Sequence, residues 1–196
     1  MVFFLDAAHF VFAPFLGILW CFERLFVRAP SGRVRLNVLA ALNAITHEVW
    51  TVQNLTYVTS ETVCQLLWQL AGHHAGVPIT VVLDNARYQR CALVQAMAQS
   101  LNIELLYLPP YSPNLNVIER FWKFVKKQCL YSKYYPDSAS FQEAILTCIG
   151  QAPTAHKAEL ERLLTLRFQS FSEVPLVGDT APAAKPTKEK VFLKAA

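Results

Sequence analysis

Charge is scarce in this 196-residue sequence: only 16% of its residues are Asp, Glu, Lys or Arg, against roughly 25% in an ordinary soluble domain. Together with a 54% apolar share, that scarcity excludes a disordered or fibrous chain. The apolar surplus has to be covered, either on both faces of a sheet or against a partner. An unbroken apolar segment of membrane-spanning length is also missing. Met1 to Cys21 comes nearest, but it has no basic leader and is interrupted by Asp6, His9, Pro14 and Gly17, which excludes both a signal peptide and a span. Closely spaced cysteines are absent too. The five, Cys21, Cys64, Cys91, Cys129 and Cys148, form no CxxC-type metal knuckle, and their odd number points to reduced thiols in a cytoplasmic protein. The sequence contains no GxSxG, no P-loop and no glycine-rich dinucleotide fingerprint, which weakens hydrolase, NTPase and dehydrogenase readings. It has no internal repeats.

What is present is a change of period along the chain. Val2 to Leu5 is a short apolar run ending at Asp6, and Phe10 to Val27 adds aromatic-rich, β-prone stretches around Pro14 and Gly17. Alternating Val34, Leu36 and Val38, a polar turn at Thr46 to Glu48, and a return through Val52 predict an antiparallel hairpin. Helical spacing then begins at Ser60, a candidate N-cap, and runs to Gly72. Ile79 to Leu83 is a continuous apolar run typical of a strand buried on both faces, and Ile103 to Leu108 reads as another buried strand. Helices are expected at Gln89 to Ser100, from Ser112-Pro113 to about Gln128, at Ser140 to Ile149 and at His156 to Phe168. The order predicts an α/β fold: a mixed sheet, antiparallel strands first and parallel strands after, flanked by helices. Residues 1–170 make one domain, and the Pro/Ala/Lys-rich residues 171–196 read as a disordered basic tail.

Three carboxylates could carry chemistry. Asp6 and Asp84 each follow an apolar strand, where open α/β sheets place their ligand sites; either alone could equally be a turn or capping aspartate. Glu119 lies off the apolar stripe of its helix, on a face shared with Lys123, Lys126 and Lys127. That face is either a solvated one with a Glu119–Lys123 helix pair, or a carboxylate aimed at a metal site with lysines along the helix to hold a nucleic-acid backbone. Three such carboxylates brought together repel one another unless a divalent cation joins them. Hard oxygen ligands favour Mg²⁺ or Mn²⁺, and two such ions roughly 4 Å apart suit an in-line phosphoryl displacement.

The stretch LDNARYQRC (83–91) and the stretch LPPYSPNLNVIERFWKFVKK (108–127) resemble the DDE catalytic domain of bacterial insertion-sequence transposases of the mariner-related superfamily. In that family the second Asp lies in a DNA tripeptide, here Asp84-Asn85-Ala86, and the final Glu in SPxLNxIERxW, here Ser112 to Trp122. The 119 − 84 − 1 = 34 intervening residues match its spacing. The resemblance covers about residues 1–170 and implies a ribonuclease H-like fold, with Asp6, Asp84 and Glu119 as catalytic and metal-binding residues. It further implies two Mg²⁺ or Mn²⁺ ions, and metal-dependent DNA cleavage followed by strand transfer into target DNA. Implied partners are transposon-end and target DNA, with a homo-oligomeric assembly in a bacterial cytoplasm, at the nucleoid. Relatives carry a helix-turn-helix region before this domain, whereas here Asp6 is preceded by five residues; the expectation is that end recognition is absent or comes from a separate chain. Two rival readings are a non-catalytic fragment that binds or regulates full transposase, and a two-carboxylate glycosidase.

The remaining candidates have bland alternatives. Asn85 could support the metal site, bind DNA or merely form a turn. Arg87 and Arg90 could meet phosphates or only solvent. Tyr111 could stack on DNA or pack on its loop, and the neighbouring prolines stiffen that loop. His9 and Trp122 read as packed residues. The net charge of +4 is concentrated. Residues 119–133 contain Arg120, Lys123, Lys126, Lys127 and Lys133 against Glu119 alone, 5 − 1 = +4. Arg120, Lys123, Lys126 and Lys127 are therefore expected to bind DNA, together with Asn85 and Arg87.

Overall fold

The computed structural model describes residues 1–12, 34–110, 112–131 and 133–168. Five strands, β1 (Val2–Val11), β2 (Arg35–Asn43), β3 (Val49–Asn54), β4 (Ile79–Leu83) and β5 (Ile103–Tyr107), form one sheet in the order β3-β2-β1-β4-β5. β1 pairs antiparallel with β2 and β2 antiparallel with β3, whereas β1–β4 and β4–β5 are parallel. This is the mixed sheet expected from the order of elements. Five helices cover it: α1 (Ser60–His73), α2 (Ala92–Ser100), α3 (Ile118–Cys129), α4 (Ser138–Ala155) and α5 (Lys157–Leu163).

Side-chain alternation along each strand sorts the apolar residues into two cores. Phe3, Leu5, Leu39, Ala41, Val81 and Leu83 pack under α1 and α2, together with Val63, Leu66, Leu67, Leu70 and Val94. Phe4, Ala8, Phe10, Val38, Ala40 and Val82 face the other way, against Ile118, Phe121, Trp122 and Val125 of α3 and Phe141, Ile145 and Ile149 of α4. Covering both faces absorbs the apolar surplus.

Several boundaries move. β1 continues past Leu5 to Val11 because β2 pairs with it along its length, including Asp6 opposite Ala40. Asp6 is therefore a mid-strand residue and not a strand-end one. Thr59 rather than Ser60 is the N-cap of α1, its backbone N–H donating to Thr62 Oγ1 at 3.2 Å. α2 starts at Ala92, because Ala86 to Arg90 is held in a turn by Gln89 and Arg90 N–H bonds to the Ala86 carbonyl. The helix expected from Ser112-Pro113 is split into a single 3₁₀ turn, Pro113–Leu115, and α3 proper from Ile118. The β-prone stretches after Pro14 and the basic tail lie outside the described residues.

Candidate active site

The period of two that builds the cores also aims two aspartates. Asp6 follows Phe4 and precedes Ala8 on the face covered by α3. The parallel ladder pairs Phe4 with Val82, so the same register carried two residues further sets Asp84 abreast of Asp6 and on the same face. β4 ends at Leu83, which leaves Asp84 beyond the ladder, where its Oδ1 accepts the Ala86 N–H at 2.8 Å. That bond is an Asx turn, the local role expected of an aspartate after a strand.

The loop from β5 into α3 closes the site from above. Leu108 N–H donates to the Leu83 carbonyl at 2.8 Å, and Asn85 Nδ2 donates to the Leu108 carbonyl, so Asn85 binds the ends of β4 and β5 together. Arg90 Nη1 in turn donates to Asn85 Oδ1 at 3.3 Å. Asn116 is buried, and its Nδ2 reaches back to the Leu5 carbonyl at 3.4 Å. One turn into α3, Trp122 Nε1 donates to Asp6 Oδ2 at 3.1 Å. The loop and the helix are thus fastened to consecutive residues of β1, and Glu119 is carried between those two fastenings.

Asp6, Asp84 and Glu119 consequently line one cleft of about 350 Å³, with Asn85, Ser112, Asn116 and the Leu108–Pro110 stretch as its other walls. The carboxylates sense one another. Burial, the charge of Glu119 and then that of Asp84 push the Asp6 carboxyl up to about 7, against the opposing pull of the Ala7 N–H and the Trp122 indole. Tyr88 stands near enough that its phenol rises to about 12, mainly through burial, with the charges of Asp84 and Asp6 adding. Among the described residues no three His, Cys, Asp or Glu side chains converge closely enough to hold one metal ion as they stand. The donor set nevertheless suits a hard divalent cation: carboxylates on β1, after β4 and on α3, crowded enough to keep one proton near neutrality, with the Asn116 Oδ1 in the same wall buried and unpaired.

The expected phosphate contacts separate into distinct groups. Lys123 is exposed, Lys126 is half-buried, and exposed Lys127 lies 4.0 Å from Glu159. Among the described residues no ion pair joins Glu119 to Lys123, so the solvated helix pair is not formed. Arg120 departs from expectation. Its guanidinium donates to the backbone carbonyls of Leu163, Thr165 and Arg167 at 3.5, 2.7 and 3.2 Å and lies over the Phe168 ring, so its donors serve the segment after α5. Arg87 is exposed. His9 Nδ1 meets Asn37 Oδ1 at 2.7 Å and stays out of the cleft wall, and Tyr111 lies outside the described residues. Asn116 and the polar role of Trp122 had no signal of their own in the sequence beyond their places in the motif.

Such a sheet, antiparallel strands followed by parallel ones with helices on both faces, is a ribonuclease H-like fold. The chain belongs to the DDE superfamily endonuclease family, whose sequence profile matches residues 23–142. That span contains Asp84 and Glu119, while Asp6 lies upstream of it. No curated protein matches the chain in sequence. Among solved structures, a pre-cleavage Mos1 transpososome shares the fold with a TM-score of 0.59 at 13% identity, over 87% of this chain and 56% of that one. A Mos1 mariner paired-end complex with Mn gives 0.57 at 13%, over 81% and 55%. The intasome of simian T-cell lymphotropic virus, in complex with PP2A regulatory subunit B56 gamma, gives 0.51 at 20%, over 74% and 47%. The chain thus spans about half the length of these chains. No helix among the described residues is long and apolar enough to cross a membrane.

Proposed function

We propose that this chain is the catalytic domain of a transposase that cuts transposon-end DNA and transfers the freed strand into target DNA. The observation that carries this reading is the meeting of Asp6, Asp84 and Glu119, from three separate elements, in one cleft of a DDE-family endonuclease domain. The three carboxylates are the residues that would hold Mg²⁺ or Mn²⁺, two ions as the family resemblance implies. When bound, such ions polarise a phosphodiester and lower the pKa of an attacking water or 3′-hydroxyl. The protein's own share is positional. Asp6, Asp84 and Glu119 line the cleft from three parts of the fold, and Pro109-Pro110 line it beside them.

Lys123, Lys126 and Lys127 supply positive charge further along α3 and are assigned to the phosphates, together with exposed Arg87 three residues after Asp84. Asn85, next to Asp84 in the cleft lining, fastens the end of β4 to Leu108. The Mos1 complexes contain paired ends and a strand-transfer state, and we extend that behaviour to this chain: an oligomer acting on two DNA ends, with end recognition supplied by a helix-turn-helix region on a partner, in a bacterial cytoplasm.

The test is Mn²⁺- and Mg²⁺-dependent nicking of plasmid DNA by the full chain, with Asp84→Asn and Glu119→Gln alongside. Metal-dependent nicks that both substitutions abolish are expected. Nicking that survives both substitutions overturns the assignment, and binding to full transposase with no cleavage under either metal favours the non-catalytic fragment.

A further inference from the structure

Trp122 is buried to 2% exposure, yet its one polar atom is not wasted on solvent: Nε1 donates to Asp6 Oδ2 at 3.1 Å across 116 residues of sequence. The ring that carries this donor is wedged. Phe10 meets it edge-on at 6.0 Å and 77°, and Phe121 packs tilted against it at 5.6 Å, so the N–H cannot swing without repacking the core between β1 and α3. The Ala7 backbone N–H also favours the ionised form of the same carboxylate. The wedged indole thus restrains a side chain that on a bare strand would rotate about χ1 and χ2.

The chemistry of the donor matters as much as its rigidity. An indole N–H is a donor only and carries no charge. A lysine or arginine in its place would also orient Asp6 but would add a cation where a divalent metal has to bind. Trp122 further lies three residues after Glu119 on the same helix, one turn along one face. α3 thereby contributes one carboxylate directly and the orientation of a second.

We propose that Trp122 is a positioning residue of the carboxylate cleft, presetting the Asp6 carboxylate for a divalent cation through a neutral hydrogen bond. This rests on the reading of Asp6, Asp84 and Glu119 as the metal-holding residues. It goes beyond that reading by assigning a metal-affinity role to a residue outside the cleft wall.

The experiment is Mn²⁺ binding to the full chain, followed by electron paramagnetic resonance of free Mn²⁺. The proteins compared are wild type, Trp122→Phe, Asp84→Asn, and a protein in which Trp122 is replaced by benzothienylalanine, which keeps the ring shape and loses the N–H. Roughly ten- to hundredfold weaker Mn²⁺ binding is expected for the Phe and benzothienyl proteins, the range seen when a metal ligand loses its orienting hydrogen bond. The benzothienyl protein is expected to keep the wild-type melting temperature and circular dichroism, and it carries the test alone if the Phe protein does not fold. Wild-type affinity in the benzothienyl protein, with binding still lost in Asp84→Asn, overturns the Trp122 assignment and leaves the proposed function standing. Absence of Mn²⁺ binding in wild type, or unchanged binding in Asp84→Asn, overturns both.

Discussion

Arg120 and Thr165 stand 45 residues apart and are joined by a 2.7 Å bond from the guanidinium Nη1 to the backbone carbonyl. The neighbouring bonds to Leu163 and Arg167 make one side chain the clasp between α3 and the segment after α5. Arg120→Ala is expected to lower unfolding free energy by about 1–3 kcal/mol, since charge-assisted bonds to carbonyls are lost together. Its effect on DNA binding should differ in kind from that of Lys123→Ala. The lysine substitution is expected to reduce the slope of log affinity against log salt by roughly 1, and Arg120→Ala to leave that slope unchanged. Denaturant melts and salt-series binding isotherms measure both.

The raised Asp6 carboxyl makes stability depend on pH. Its folded value of about 7 lies above the ordinary 3.8, so between these limits the folded state holds a proton that the unfolded state has released. Stability from this group is complete below about pH 4 and falls as pH rises through 7, at up to about 1.4 kcal/mol per pH unit. Asp6→Asn is expected to flatten the metal-free profile across that window and to melt higher than wild type at pH 8. A wild-type profile that rises between pH 4 and 7 and is unaffected by the substitution contradicts this.

Divalent metal should reverse the penalty. At pH 8 the three carboxylates repel, and a cation bound only by the folded state stabilises it by mass action, about 2.7 kcal/mol at a hundred times the dissociation constant. Adding millimolar Mn²⁺ is expected to raise the melting temperature, and EDTA to return it. Glu119→Gln is expected to shrink that rise and to slow nicking roughly thousandfold, equivalent to about 4 kcal/mol of barrier.

Asn85 offers a milder test. Loss of its bonds to the Leu108 carbonyl and from Arg90 in Asn85→Ala is expected to cost about 1 kcal/mol of stability. DNA affinity should stay near wild type, because the side chain is turned to the protein. A large fall in affinity with no change in melting would return Asn85 to the DNA surface.

Much of this was legible in the sequence for physical reasons. The two-sided burial of β4 shows as an uninterrupted apolar run, and the amphipathic helix that becomes α3 shows as a stripe of Leu115, Ile118, Trp122 and Val125. Asp84 and Glu119 were visible because each sits in a contiguous motif. The apolar run before Asp6 marks the residue but not its mid-strand setting. Where β1 ends depends on β2, more than twenty residues later, and a short apolar run cannot announce how far its partner extends. Arg120 shows the limit from another direction: a guanidinium bound to carbonyls and one awaiting phosphate are identical as letters. The Trp122–Asp6 and Asn116–Leu5 bonds span 116 and 111 residues, and nothing local encodes them.

The central place of β1 has a consequence for how the cleft comes apart. β1 pairs with β2 through Asp6 and beyond, and with β4 at Val2 to Phe4 just before it, whereas Asp84 begins a turn and Glu119 rides the first turn of a helix. In native-state hydrogen exchange the amides around Asp6 therefore belong with the slowest, opening only with the whole sheet. Those of Ala86 to Arg90 and of the loop before α3 open in small local excursions. The three carboxylates of one cleft thus sit on different rungs of the stability ladder. The cleft can come apart at Asp84 and Glu119 while the strand that carries Asp6 stays folded.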